Sequence, residues 1–384
     1  MDRGLYAAEH LAFRETVRKY VATEIAPNLA AWDAQRSVDR TAWLAAGRQG
    51  VIGLSGPESY GGGGQSDYRF RNIVIEELAS IGAASVSSSF ALQDDILIPY
   101  ITALGSAEQL DRWLPGMCQG SLIAAVAMTE PGAGSDLQGI RTTATRTDGG
   151  WRLSGTKTFI TSGIQSDIVV VVSRTDPRAG SKGFTLLVAE EGMQGFSRGR
   201  KLDKIGLLAQ DTAELFFDDV FIPDANVLGP VGGAMPALMR HLPLERLSIA
   251  AAAIAAADAA FAWTLGYVQE RRAFGQPVAD FQNTRFVLAE VATELDVTRA
   301  FVDKAMLAAG QGTLSAVDAA KAKLWATEVQ GRVIDRLLQL HGGYGYMVEY
   351  PIARAFQDAR VQRIFGGTSE IMKMIIGRDL IGRR

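Results

Sequence analysis

Ala127-Met-Thr-Glu-Pro-Gly-Ala-Gly-Ser-Asp136 is the stretch from which the fold can be read. It follows the apolar run Leu122 to Val126, whose length suits a short buried strand. Pro131, Gly132 and Gly134 then forbid regular structure and free the backbone for tight turns. Thr129 and Ser135 add hydroxyls, and the N–H groups between them can line an anionic or polar ring system. Alone, such a turn is also ordinary glycine-rich surface, so its meaning depends on the rest of the chain.

Four further segments stand downstream of it: Lys157-Thr-Phe-Ile-Thr-Ser162, Glu270-Arg-Arg-Ala-Phe-Gly275, Gln339-Leu-His-Gly-Gly-Tyr-Gly345 and Arg363-Ile-Phe-Gly-Gly-Thr-Ser-Glu370. Together with the opening stretch they resemble the acyl-CoA dehydrogenase family. TEPGAGSD and Lys157–Ser162 are similar to its two flavin segments, and the others to its E-R-x-x-F-G, Q-x-x-G-G-x-G and C-terminal active-site signatures. The resemblance covers the chain from about residue 10 to its end.

Composition sets the bounds. The chain has 384 residues, 47% hydrophobic and 21% charged, enough for a large core and for two or three domains. A net charge of -3 gives no broad basic surface for nucleic acid. Cys118 is the single cysteine, which excludes an intrachain disulfide and a cysteine metal cluster, and with three His no metal site is expected. The N-terminus carries no apolar signal core and no arginine-rich stretch, so the expected location is cytoplasmic. Leu247 to Leu265 is the nearest approach to a membrane segment, but alanine dominates it and Asp258 interrupts it. It reads as a packed internal helix and not a membrane span.

Apolar spacing predicts helices over Ala7–Pro27, Thr41–Gly50, Asp67–Ile81, Ser85–Leu104 and Ser106–Leu114. Pro57 to Gly64 reads as a flexible glycine-rich loop, because no Lys-Ser/Thr follows it as a phosphate loop requires. After residue 121 the period changes. Strands are expected at Ile140–Thr147, Trp151–Ile160, Ile168–Val172, Phe184–Val188, Ala213–Phe217 and Val220–Pro223, the first two joined by Asp148-Gly-Gly150. Helix returns near Ala234, with long helices at Leu244–Gln269, Phe281–Ala309 and Ser315–Leu340 and shorter ones at Ile352–Arg363 and Glu370–Leu380. Nine alanines between Ala250 and Ala260 favour close helix packing, within the bundle or between subunits. The fold class is therefore α+β and multidomain: an N-terminal helical domain (1–121), a central β-barrel or sandwich domain (122–233) and a C-terminal four-helix bundle (234–384). That order is the architecture of the family resembled.

Removing hydrogens from Cα and Cβ of an acyl thioester needs a carboxylate for the α-proton, donors for the thioester oxygen and a flavin for the hydride. The resemblance assigns FAD to Met128, Thr129, Gly134, Ser135, Phe159 and Thr161, with Phe159 in place of the family's usual Trp. It also assigns Arg271, Phe274, Gln282, Gln339, Gly342 and Gly343 to the adenine nucleotide half of a neighbouring subunit's FAD, with Thr368 and Glu370 completing the flavin site. Arg271 suits pyrophosphate through its forked guanidinium. Ala273 stands where some relatives carry a hydroxyl, which removes one expected contact.

One position departs from the pattern. Many family members carry the catalytic Glu where this chain has Gly366, which has no side chain. Either catalysis is lost or the base comes from elsewhere. Glu245-Arg246 supplies the second option, because it resembles the subset, including the isovaleryl-CoA and long-chain enzymes, whose Glu precedes an Arg on a C-terminal-domain helix. The catalytic set expected is Glu245, Gly366 and Arg246. The reading is FAD-dependent acyl-CoA dehydrogenation to the trans-2-enoyl-CoA. An acyl-carrier-protein-linked dehydrogenase, a flavin oxidase of the same fold and a non-catalytic flavin-binding relative stand as alternatives. The resemblance implies an acyl-CoA substrate, an electron-transfer flavoprotein as acceptor and a homotetramer built as a dimer of dimers.

Overall fold

The structure is a computed structural model and describes residues 3–382. Seven helices come first: α1 (Ala8–Tyr20), α2 (Leu29–Gln35), α3 (Arg40–Arg48), α4 (Tyr68–Ser80), α5 (Ala84–Ala91), α6 (Ile98–Leu104) and α7 (Ala107–Gln119). One wide turn, Leu92–Leu97, joins α5 to α6 and directs Asp94 and Asp95 inward. Ser106 caps α7, accepting from the N–H of Gln109 at 3.3 Å while the Gln109 side chain returns the bond.

The β region follows: β1 (Ala124–Ala127), β2 (Thr143–Thr147), β3 (Gly150–Thr161), β4 (Ile168–Arg174), β5 (Phe184–Glu190), β6 (Phe196–Lys201), β7 (Thr212–Pro223) and β8 (Val227–Leu228). They form one mixed sheet in the order β6-β7-β3-β2-β4-β5-β8, with β1 added parallel to β4. The valine run of β4 is buried on both faces: Val169 and Val171 enter the core of the sheet region, while Val170 and Val172 pack against α6 and α7.

Two expectations need correction here. Ala213–Phe217 and Val220–Pro223 are one strand, β7, which bulges at Asp218–Asp219, where Asp219 takes a φ of 50°. And Phe196–Lys201, unassigned from sequence, is a strand at the sheet edge.

The C-terminal part is helical again: α8 (Ala234–Glu270), α9 (Gln282–Gly310), α10 (Ala316–His341), α11 (Pro351–Ala359) and α12 (Ser369–Ile381). A two-stranded turn, Arg272–Ala273 with Gln276–Pro277, separates α8 from α9. The first of these helices starts at Ala234, where helix was expected to return, and continues unbroken through Pro243 into the expected Leu244–Gln269 segment. A proline there removes the N–H that would bond the Met239 carbonyl, and Met239 is exposed, so water can take that bond. The buried alanines of α8 lie in one core with Ala322 and Ala326 of α10 and with Ile75 of α4. Their close packing is thus made within the chain. α8 is apolar and long enough to span a bilayer, and half of its most apolar stretch is buried against these helices.

Candidate active site

The glycine-rich turn after β1 is held at both ends. Glu130 and Ala133 exchange backbone hydrogen bonds of 2.9 and 3.1 Å. The buried Glu130 carboxylate accepts from the N–H groups of Arg141 and Thr142 at 2.7 and 2.9 Å and from Lys157 Nζ at 2.9 Å. Burial opposes its ionisation, but these donors outweigh it and hold the carboxyl below its ordinary range. Lys157 also donates to the Met128 carbonyl at 3.0 Å, and Thr158 N–H to the Thr129 carbonyl at 2.9 Å. The two segments assigned to flavin are therefore hydrogen-bonded to each other.

What that scaffold presents is open. A side chain at Gly132 or Gly134 would meet nothing within 4 Å, and Ser135 is exposed beside them. Between Lys157 and Ile160 the pairing of β3 with β7 slips by one residue. This bulge turns Phe159 outward, 68% exposed, with a left-handed φ of 59°. An aromatic held outward at a conformational cost, next to free backbone N–H groups and the hydroxyls of Thr129 and Thr161, suits a flat ring system bearing phosphates. The residues fit the flavin nucleotide.

Met128 shares a core cluster with Tyr100, Met235 and Leu238, which sets this turn beside the start of α8. Glu245 stands two residues after Pro243 on that helix. Its Oε2 is sealed from solvent and has no hydrogen bond, and its Oε1 lies 3.4 Å from where a Cβ on Gly366 would sit. Burial pushes its carboxyl up to about 7, against the pull of the Arg246 and Lys323 charges. Arg246 is 5% exposed and its Nε lacks a partner. Tyr100 and His241, with ring centroids 4.8 Å apart, form an adjoining wall. Burial and the neighbouring Arg240 lower the His241 pKa, which favours the neutral imidazole.

Gly366 is required where it is. Its φ is 63°, and a Cβ would strike Ile249 Cδ1 at 2.3 Å; the next residue, Gly367, has a φ of 99°. Lys323, which the sequence reading passed over, donates to the Gly367 carbonyl at 2.7 Å, and burial brings its pKa down to about 8. Glu328 anchors the flanks, accepting from Arg363 at 3.3 Å and from Ser369 at 2.6 Å. Thr368 caps α12 by accepting from Ile371 N–H at 3.3 Å, and Glu370 is exposed in the first turn of that helix. From Ile249 and Phe365 a cavity of about 190 Å³ runs past Ala91, Ala252 and Ala256 to Trp263.

The remaining expected residues lie elsewhere. Arg271, Phe274, Gln282, Gln339, Gly342 and Gly343 are all exposed, around the far ends of α8 and α10. Phe274 is 97% exposed, and the Arg271 guanidinium lies 5.1 Å from the ring centre of Tyr344. At 1.5 Å per residue, α8 separates Glu245 from Arg271 by roughly 38 Å. These two groups of residues form separate surfaces of one chain.

Residues 7–121, 125–220 and 233–381 match the N-terminal, middle and C-terminal domains of acyl-CoA dehydrogenases, in that order. The long-chain specific acyl-CoA dehydrogenase of Sus scrofa, named mitochondrial, is 47% identical over 99% of this chain and 88% of its own length. An acyl-CoA dehydrogenase structure from Geobacillus kaustophilus superposes with a TM-score of 0.95 at 44% identity, covering 98% of this chain and 99% of that one. A glutaryl-CoA dehydrogenase from Mycobacterium smegmatis, solved with FADH2, gives 0.93 at 27% identity over 100% and 97%.

Proposed function

The chain belongs to the acyl-CoA dehydrogenase family, and from that premise we propose that Glu245 is its catalytic base and that its acyl group is a long chain lying along α8. The reaction is the FAD-dependent α,β-dehydrogenation of an acyl-CoA thioester. Met128, Thr129, Gly134, Ser135, Phe159 and Thr161 would hold the flavin, with Thr368 and Glu370 beside it. Bound there, FAD supplies the acceptor for the hydride that leaves Cβ.

The observation that carries the assignment of the base is the position of the Glu245 carboxylate, against Gly366 and one helical turn before Ile249, which lines the cavity. A desolvated carboxylate with an unbonded oxygen takes a proton more readily than one already supplied with donors. Gly366 contributes in two ways: the missing side chain leaves room for Glu245, and its N–H has no protein acceptor among the described residues and can meet the thioester oxygen. Arg246 and Lys323 keep part of the carboxyl population ionised near neutral pH. The length of the cavity supports a long chain, since Ile249 to Trp263 spans about 21 Å of helix.

The far surface around Arg271, Phe274, Gln282, Gln339, Gly342 and Gly343 serves a neighbour's FAD in a homotetramer. Its distance from Glu245 and the exposure of Phe274 support this. A flavin-loaded monomer in light scattering would contradict it. The electron acceptor is an electron-transfer flavoprotein, checked by coupled reduction with the purified partner. A cytoplasmic location is also part of the reading, although the Sus scrofa relative is named mitochondrial; cell fractionation checks it. Anaerobic mixing of the yellow protein with acyl-CoAs of increasing length tests the whole. Flavin bleaching should be fastest with the long chains, and no bleaching with any of them would contradict the proposal.

A further inference from the structure

The two ends of the acyl cavity differ. At the Ile249 end its walls are Phe365, Leu207 and Ala91. At the Trp263 end it is lined by Gly82, Glu349, Pro351 and Arg354. Glu349 and Pro351 are exposed, and Gly82, Trp263 and Arg354 are half-buried. A closed acyl pocket ends on buried apolar side chains, whereas this one ends on charged and exposed groups, which belong to the surface.

Three segments frame that end. The Trp263 indole N–H donates to the carbonyl of Ser80, the last residue of α4, at 3.1 Å. A Cβ on Gly82 would lie 3.6 Å from Trp263 Cη2, so the turn between α4 and α5 borders the indole. On the other side α11 begins at Pro351, and Arg354 donates to the Val348 carbonyl at 2.9 Å and to Asp33 at 3.1 Å. These bonds hold each side of the frame in place.

The helix sets the chain length that reaches it. Ala256 and Trp263 lie about 17 and 27 Å beyond Glu245 along α8. An extended chain advances roughly 1.2 Å per bond, so ten carbons, with eight bonds beyond Cα, cover about 10 Å and end inside the cavity. Twenty carbons cover about 22 Å and end between Ala256 and Trp263. We propose that the cavity has a solvent-facing outlet between Ser80, Trp263 and Pro351, through which acyl chains of about 20 carbons pass their ω end, so that a hydroxyl there is accepted as readily as a methyl. A hydroxyl stopped inside the cavity loses its water, whereas one at the outlet keeps it. A carboxylate at the same place is opposed by Glu349, since Arg354 is already paired with Asp33. This inference rests on the reading of the cavity as the acyl site.

The outlet lies about 12 Å along α8 before Arg271, where the surface assigned to a neighbour's FAD begins, so the test uses the assembled, flavin-loaded enzyme. kcat/KM is measured with an artificial dye as electron acceptor and each acyl-CoA below its micellar concentration. The substrates are decanoyl-CoA, 10-hydroxydecanoyl-CoA, icosanoyl-CoA, 20-hydroxyicosanoyl-CoA and 19-carboxynonadecanoyl-CoA. The 20-hydroxy chain should match icosanoyl-CoA within about twofold, while the 10-hydroxy chain should fall below decanoyl-CoA by about tenfold. Glu349→Lys, at an exposed position, should raise the ratio of the carboxylated to the hydroxylated 20-carbon chain by about fivefold at low salt. A similar loss for both hydroxylated chains means a closed end and overturns the outlet, and so does a ratio that Glu349→Lys does not move. No loss at either length overturns it too, since the hydroxyl is then satisfied inside. Turnover of decanoyl-CoA without turnover of icosanoyl-CoA, as when a neighbour covers the outlet, overturns this inference alone. No turnover of any acyl-CoA overturns the reading beneath it.

Discussion

Glu130 and Glu245 each have a cation nearby, yet the structure treats them in opposite ways. Glu130 receives three hydrogen bonds, two from backbone N–H groups and one from Lys157, and its carboxyl is held below its ordinary range. Glu245 has no hydrogen bond on its buried Oε2, and burial pushes its carboxyl up to about 7. The first arrangement fixes a loop. The second leaves a carboxyl that titrates near neutral pH, the property that the proposed role as general base requires. A carboxylate beside a positive charge is therefore not informative until its donors are counted.

The sharpest way to break this contrast is to remove the reacting oxygen. Glu245→Gln keeps the size and should keep the flavin, but flavin reduction by the best acyl-CoA should slow by about 10² to 10⁴-fold in stopped flow. Lys157→Met acts on the other carboxylate. It leaves Glu130 buried without its cation and the Met128 carbonyl without its donor, so a loss of about 3–5 kcal/mol in denaturant unfolding is expected, with flavin content reduced.

A smaller effect separates scaffold from function at the bulge. Phe159→Gly relieves a left-handed φ and should raise the apoprotein melting temperature, while weakening FAD binding by about tenfold in a fluorescence titration. The smallest effect is on stability against pH. The folded Glu245 carboxyl binds its proton more tightly than its ordinary value of 4.5, so its contribution is full below that pH and is lost as pH rises to about 7. Glu245→Gln should match the wild type in stability at pH 4 and exceed it at pH 8, read by urea midpoints.

Much of this was legible beforehand. Periodicity alone separates the helical, β and helical parts, and the pairing of Glu245 with Gly366 follows from a missing side chain at one signature position. Where reading failed, local sequence and tertiary context disagreed. Phe196-Ser-Arg-Gly-Arg-Lys201 is too charged to signal a strand, yet it pairs as an edge on β7, where charge is tolerated. Asp218-Asp219 looks like a turn between two strands and is a bulge within one. The long helix read from Leu244 is continuous with the helix read from Ala234, and α8 passes through Pro243 without ending.

Side-chain roles were hidden for another reason. Lys323 sits among ordinary helical residues, and nothing in its spacing tells that its tip reaches the Gly367 carbonyl. Only the close approach of α10 to α8, which sets Lys323 beside the charges of Glu245 and Arg246, gives it meaning.

The most direct measurement is an infrared titration of the Glu245 carboxyl in the substrate-free, flavin-loaded protein, taken as the difference between wild type and Glu245→Gln. A protonated-carboxyl band that disappears with a midpoint near pH 7 is the result expected from a buried carboxylate deprived of donors. A midpoint at the ordinary carboxylate value of 4.5 would mean that Glu245 is solvated or paired like Glu130, and would contradict its assignment as the base.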